Sequence, residues 1–185
     1  MVFYFPQALF LNMSHLNVEI KAICKNAEFI RKWLLRHKAE FKGIDHQTDT
    51  YFNTTKGRLK LREGNIENNL IFYERENHQG PKNSNFSLVK LGDAKRLKEI
   101  LSKSLGIKII VQKKREIYFI DNVKFHIDEV PGLGHFVEIE AGNLHADISE
   151  EKLRQQCDHY LKEFGIKEQD LIAVSYSDML LAMVE

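Results

Sequence analysis

Apolar and polar residues alternate where the readable pattern begins. Leu16, Val18, Ile20 and Ala22 fall on one side, Asn17, Glu19 and Lys21 on the other, the period of a strand with one buried face. Helical spacing follows: Asn26 stands as a cap, Ala27, Ile30, Trp33, Leu34 and Phe41 recur with helical period, and Gly43 marks the expected end. Strand-like runs come next at 46–52, 57–62, 69–75 and 83–90, divided by Gly, Pro and Asn, and read as consecutive hairpins. Asp93 is placed to cap a second helix carrying Leu97, Ile100, Leu101 and Leu105, with Gly106 just past its end. Residues 107–120 and 122–130 form another hairpin about Asp121-Asn122. Pro131-Gly132-Leu133-Gly134 then turns the chain into a last strand from His135 to Ala141. Ser149 opens a helix with Leu153, Cys157, Tyr160, Leu161 and Phe164 in register before Gly165, and a shorter one from Ser175 is expected to bury Met179, Leu180 and Met183.

Eight strands, mostly joined as hairpins, with a few helices make an α+β chain. They can build an open sheet, a sandwich or a closed barrel. If the helices cover the apolar strand faces, the charged faces line an interior. The competing reading makes those charged faces the solvent side of an antiparallel sheet.

The charges are sorted along the strands. Arg58, Lys60 and Arg62 share one strand face and Glu138 and Glu140 another, each group of a single sign. Neighbouring like charges repel by roughly 1 kcal/mol or more per close pair unless an anion sits among them. On this reasoning alone, Arg62→Ala should leave stability equal or higher. Collected over all strands, the cations are Lys21, Arg58, Lys60, Arg62, Arg75, Lys90, Lys113 and Arg115; the acids are Glu19, Asp128, Glu138 and Glu140. Clustered lysines and arginines are what a polyphosphate requires, since each phosphoryl oxygen takes charge-assisted hydrogen bonds. Carboxylates on neighbouring strands are what Mg²⁺ or Mn²⁺ requires.

Composition narrows the classes. The chain has 185 residues, enough for one core, and 27 Lys+Arg against 26 Asp+Glu leave a net charge of +1, which argues against a nucleic-acid binder. Cys24 and Cys157 are the only cysteines, too few for a disulfide framework or zinc site, so a cytoplasmic setting is expected. The apolar start through Leu11 lacks a basic region and a cleavage site, so no membrane partner is expected. Residues 1–13 read as an extension preceding a single domain over 14–185, Met13-Ser14-His15 being a second candidate start. No phosphate loop occurs, and Gly132-Leu133-Gly134 lacks the third glycine of a dinucleotide fingerprint. His46, His126 and His135 read as structural strand histidines, with His126 on the face of Asp128, and Tyr51, Tyr73 and Tyr118 as wall aromatics.

Taken together, several segments carry a family resemblance. They are Val18-Glu19-Ile20-Lys21-Ala22, Gln47-x-Asp49-x-Tyr51-Phe52, Gly57-Arg58-Leu59-Lys60-Leu61-Arg62, Gly80-Pro81-Lys82, Lys113-Lys114-Arg115, the run from Ile127 through Glu140, and Ser175-Tyr176-Ser177-Asp178-Met179-Leu180. In this order and spacing, over residues 16–181, the chain resembles the CYTH superfamily of triphosphate tunnel metalloenzymes, and most closely its class IV adenylyl cyclase-like branch. The resemblance implies an eight-stranded antiparallel closed barrel with helices outside, a tunnel holding a triphosphate, and a divalent ion, Mg²⁺ or Mn²⁺. It implies Glu19, Asp128, Glu138 and Glu140 as metal ligands or their supports, with Glu19 and Glu138 catalytic. Lys21, Arg58, Lys60, Arg62, Lys113 and Arg115 would grip the phosphates, with Arg75, Lys82 and Lys90 alongside.

The activity implied is conversion of ATP to cyclic AMP and pyrophosphate. The alternatives are hydrolysis of inorganic, nucleoside or thiamine triphosphate, and a non-catalytic polyphosphate-binding module. A homodimer is compatible with this branch. One position departs from the superfamily's Glu-x-Glu-x-Lys, which here reads Asn17-x-Glu19-x-Lys21. Asparagine keeps a carbonyl oxygen but removes one negative charge from the expected metal site.

Overall fold

In this computed structural model, residues 15–75, 77–143 and 147–184 are described; the expected extension over 1–13 lies outside them. The alternation that opens the pattern forms strand β1 (His15–Ile23), and its apolar side is buried from Val18 to Ala22, both at 0% exposure, with Leu16 partly covered. The chain continues through α1 (Ala27–Arg36), β2 (Glu40–Phe52), β3 (Arg58–Glu63), β4 (Asn69–Arg75), β5 (Lys82–Lys90), α2 (Lys95–Leu105), β6 (Ile107–Ile120), β7 (Val123–Val130), β8 (Gly134–Gly142), α3 (Glu150–Glu163) and α4 (Tyr176–Leu181). All eight strands pair antiparallel and close into a barrel in the order β1-β5-β4-β3-β2-β6-β7-β8, with β8 returning to β1. This resolves the choice between sheet, sandwich and barrel.

The direction of each face is set by what covers it. The apolar sides of β1, β7 and β8 form one core with Ile30 and Leu34 of α1, Leu153 and Cys157 of α3, and Phe164 and Leu171. Because successive strand residues point to opposite faces, covering this side turns the charged side inward. Lys21, Arg62, Lys113, Arg115, Asp128 and Glu138 are accordingly buried, and the solvent-face reading fails for them. A second, smaller cluster inside the barrel gathers Tyr51, Ile71, Tyr73, Val111, Val130, Phe136 and Tyr176.

Several local expectations need correction. The first helix stops at Arg36 and not near Gly43: the His37 N–H bonds back to Leu35 and Trp33, and Lys38 takes a left-handed φ of 59°. Phe41 belongs to β2, which begins at Glu40, and its ring lies 4.7 Å from that of Tyr118. Its helical spacing was coincidental. Gly43, at φ 125°, sits at a register shift between β2 and β6. There it relieves a β-bulge and does not cap a helix. Asp93 lies one residue before the cap position of α2, which Ala94 occupies, although its carboxylate still accepts from the Lys95 N–H at 2.9 Å. Met183 is 63% exposed and not buried, because α4 ends at Leu181. Ser149 and Ser175 cap their helices as expected; Ser175 and Asp178 form a reciprocal capping box.

Candidate active site: a self-neutralised tunnel

The β2–β3–β6 side of the interior is organised by Asp49. It faces inward from β2, paired in register with Arg62 of β3, and is 1% exposed. Its carboxylate accepts from Arg62 Nε at 2.8 Å and Nη2 at 3.0 Å, from Lys60 at 3.1 Å and from Lys113 at 2.7 Å. Burial pushes this carboxyl up, yet Arg62, Lys113 and Lys60 together hold it well below the usual range. Lys60 also lies over the rings of Tyr51 and Tyr73, 5.6 Å from each. Towards one end, Glu67 accepts from the remaining arm of Arg62 at 2.7 Å, from Lys124 at 2.5 Å and from Gln47 at 3.1 Å. Asp45 pins the loop carrying Glu67 by accepting from the backbone N–H groups of Ile66 and Glu67.

The β1–β7–β8 side centres on Arg115. Its guanidinium grips Asp128, with Nε 2.7 Å from one oxygen, and reaches Glu138 at 2.6 Å. Asp128 and Glu138 raise the pKa of Arg115 well above its ordinary value against the opposing effect of burial. Glu138 also takes Lys21 at 2.9 Å and His126 Nδ1 at 3.3 Å. Tyr176 enters from α4, donating to Asp128 at 2.7 Å while its ring lies 3.7 Å from Lys21 Nζ. Glu19 pairs with Arg75, whose Nε and Nη2 are buried and make no hydrogen bond within the protein.

Of the residues singled out from the sequence, Lys21, Arg62, Lys113, Arg115, Asp128 and Glu138 come together in the buried interior. Glu19, Arg75, Lys60 and Glu140 join them less deeply. Arg58 lies nearer a mouth, bonded to Asp178 at 3.0 Å, beside a cleft of about 340 Å³ lined also by Gly57, Glu74, Arg75 and Lys108. Lys90 is exposed at the end of β5, in register with Asn69, which itself pairs with Arg62. Asn17 packs its amide against Gly142, where an added Cβ would come within 2.4 Å of the Asn17 oxygen. Lys82 is completely buried and donates to the backbone carbonyls of Ile172 and Ala173 at 3.1 and 2.9 Å. Burial, followed by Arg75, pulls its pKa down to about 8.

Sequence reasoning missed Asp49, Glu67 and Lys124 as members of the charge network, and Tyr176 as a residue of its wall. For Asp49 the signal was present, since Asp45, Gln47 and Asp49 alternate along one face of β2. Nothing in a single sequence placed the Glu67 loop. His126 was read as structural, yet with Glu138 and Glu140 it presents ligand atoms within 4.8 Å of one another. Burial lowers its pKa, followed by the effect of Arg115, which favours the neutral, ligating form. Two carboxylates and an imidazole are a donor set that suits a divalent cation. His126 Nε2 and Arg75 Nε and Nη2 are buried in this wall without a partner in the protein, which leaves them able to bond a ligand or water.

The interior therefore combines two wall regions, one of cations gathered on Asp49 and Glu67 and one of acids and bases interlocked around Arg115 and Glu138. The CYTH domain matches residues 15–176. The chain belongs to the CYTH domain family. A Methanocaldococcus jannaschii protein named "Putative adenylate cyclase" is 29% identical over 180 aligned positions, covering 89% of this chain and 98% of that protein. A conserved hypothetical protein from Pyrococcus furiosus superposes with a TM-score of 0.74 at 26% identity, covering 88% of this chain and 98% of its own. A Hippeastrum protein described as a "putative adenylyl cyclase" with a dominant triphosphatase activity shares the fold, with a TM-score of 0.59 at 13% identity over 92% of this chain and 95% of its own. No described helix of this CYTH protein is long and apolar enough to cross a membrane.

Proposed function

We propose that this CYTH protein is a divalent-metal-dependent enzyme acting on the phosphate chain of ATP, forming cyclic AMP and pyrophosphate. The observation that carries this reading is the convergence of Lys60, Arg62 and Lys113 on one buried anion position, across the tunnel from the wall bearing Glu138, Asp128 and Glu140. The nearly full-length likeness to a relative named as an adenylate cyclase supports the choice of nucleotide. Lysines and arginines hold and neutralise the phosphate oxygens, which is most of what such transfers ask of a protein. Glu138, Glu140 and His126, with Glu19 and Asp128 as supports, would hold the metal. When bound, that ion supplies charge neutralisation on phosphate oxygens and activation of the attacking hydroxyl. Attack by the ribose 3′-hydroxyl on the α-phosphorus expels pyrophosphate and closes the cyclic nucleotide.

A second reading rests on the mouth, where Arg58, Arg75 and Lys108 gather beside Glu74 and Asp178, next to a cleft that shares Arg58 and Lys108 and is lined by Tyr51 and Phe52. Such a mouth suits a bare phosphate chain, with water attacking the terminal phosphorus. Phosphorus NMR of products from ATP, and in parallel from inorganic triphosphate, with Mg²⁺ and with Mn²⁺, separates the two. Pyrophosphate with cyclic AMP is expected from ATP. Orthophosphate, formed faster from inorganic triphosphate, would replace the cyclase by a triphosphatase.

A pH dependence follows from Lys113. Burial, aided by Arg62, Arg115 and Lys60, lowers its amine to about 7 although Asp49 opposes this. An anion in the cradle favours the protonated amine, so binding takes up a proton wherever Lys113 is neutral. Affinity for inorganic triphosphate should fall as pH rises above about 7, as calorimetry between about pH 6 and pH 9 would record. Lys113→Arg, with a charge that does not titrate there, should flatten the profile; an equally steep profile would remove Lys113 as its cause.

A further inference from the structure

Among the ion pairs of the tunnel, two kinds can be separated by what could undo them. Glu19, Asp128 and Glu138 occupy Arg75, Arg115 and Lys21, and these acids stand on the wall that presents the metal-ligand cluster. A cation bound there competes for the carboxylates and releases the basic groups to a phosphate chain. Asp49 is different. It lies outside the cluster of His126, Glu138 and Glu140, the one such group among the described residues. The three side chains it holds, Lys60, Arg62 and Lys113, are thus released only by a competing anion.

The donor arrangement indicates which anion. Four N–H donors from three cations converge on the two oxygens of one fully buried carboxylate, at 2.7 to 3.1 Å. Charge-assisted donors gathered from several strands onto one small anion are the first shell of a phosphoryl group, which offers more charge and one more oxygen than a carboxylate. We propose that Asp49 is an internal surrogate for one phosphoryl group, holding the Lys60–Arg62–Lys113 cradle assembled in the ligand-free protein and yielding it to the substrate. The proposal rests on the triphosphate reading above. Substrate entry is then an exchange of anions: the carboxylate gives up its donors, and the incoming phosphoryl group takes them. Asp49 keeps three clustered cations from repelling one another in the ligand-free protein and, by the same contacts, weakens binding of any anion that must displace it. It discriminates against weakly charged anions, because only a polyanion recovers more than the carboxylate gives up.

The test is calorimetric titration of the full chain with inorganic triphosphate, in chelator and at physiological salt, comparing wild type with Asp49→Asn. The amide keeps the shape and removes the charge. The variant is expected to bind roughly tenfold tighter or more. Equal or weaker binding by a folded variant, with wild type binding normally, overturns the surrogate and leaves the triphosphate reading standing. If the variant is unfolded alone but folds when inorganic triphosphate is added, the ligand has replaced the missing anion and the proposal holds. A variant unfolded with and without the ligand overturns it. If neither protein binds inorganic triphosphate, with chelator or with Mn²⁺, the triphosphate reading fails and the surrogate fails with it.

Discussion

Arg62→Ala is expected to destabilise the ligand-free protein by roughly 3–5 kcal/mol, the cost of stripping one partner from a buried ion network. In a chain of this size that lowers the melting temperature by on the order of 10 °C. The guanidinium is the shared partner of Asp49 and Glu67, with contacts of 2.8, 3.0 and 2.7 Å, and the side chain is only 7% exposed. Alanine leaves Asp49 with two lysines, one of which, Lys113, titrates near neutrality, and leaves Glu67 with Lys124 and Gln47. This reverses the expectation from the strand alone, in which deleting one of three like charges relieves repulsion. The anion that prevents the repulsion comes from the neighbouring strand. Arg62→Lys should fall between the two, since an ammonium cannot span both acids as the fork does. Thermal unfolding by circular dichroism is the measurement; an unchanged midpoint for Arg62→Ala would mean that Asp49 and Glu67 do not depend on it.

Glu138→Gln is expected to abolish turnover, by at least roughly 100-fold, while the barrel stays folded. The amide fills the same volume, and Arg115 keeps its grip on Asp128. What is lost is the charge that Lys21, Arg115 and His126 all address and that a divalent ion would need. Burial pushes this carboxyl up, but Arg115 and Lys21 hold it well below its usual range, so wild type carries the charge at any working pH. Turnover followed across Mg²⁺ and Mn²⁺ titrations, with circular dichroism as a control for folding, tests this. Activity preserved throughout both titrations would take Glu138 out of the site.

The strand faces were legible because period-two alternation survives in every wall: Lys21 with Glu19, Arg58 with Arg62, Glu138 with Glu140. Which face points inward was not, because periodicity reports only that two faces differ. That was decided by α1 and α3 lying on the apolar sides of β1, β7 and β8. The pairing of opposite charges was also hidden. Asp49 is thirteen residues from Arg62 along the chain but directly opposite it in the β2–β3 register, and a register fixed by turn geometry is weakly encoded in any one strand. The first helix was overextended because Phe41 fell by chance at helical spacing, and only the left-handed turn at Lys38 shows that the helix has already stopped.

The position of β1 between β5 and β8 bears on how the protein is made. Among the described strands β1 is made first, and its partner β8, which closes the barrel onto it, begins only at Gly134. At roughly 5–20 residues per second, β1 waits several seconds for β5, which can cover one edge, and longer still for β8 to cover the other. Until β8 arrives, the charged lining of the tunnel is open to water and its ion pairs are incomplete. The closed interior can form only after β8 has been made, so a ribosome that stalls before β8 leaves an open sheet with exposed edges, a natural target for chaperones and proteases.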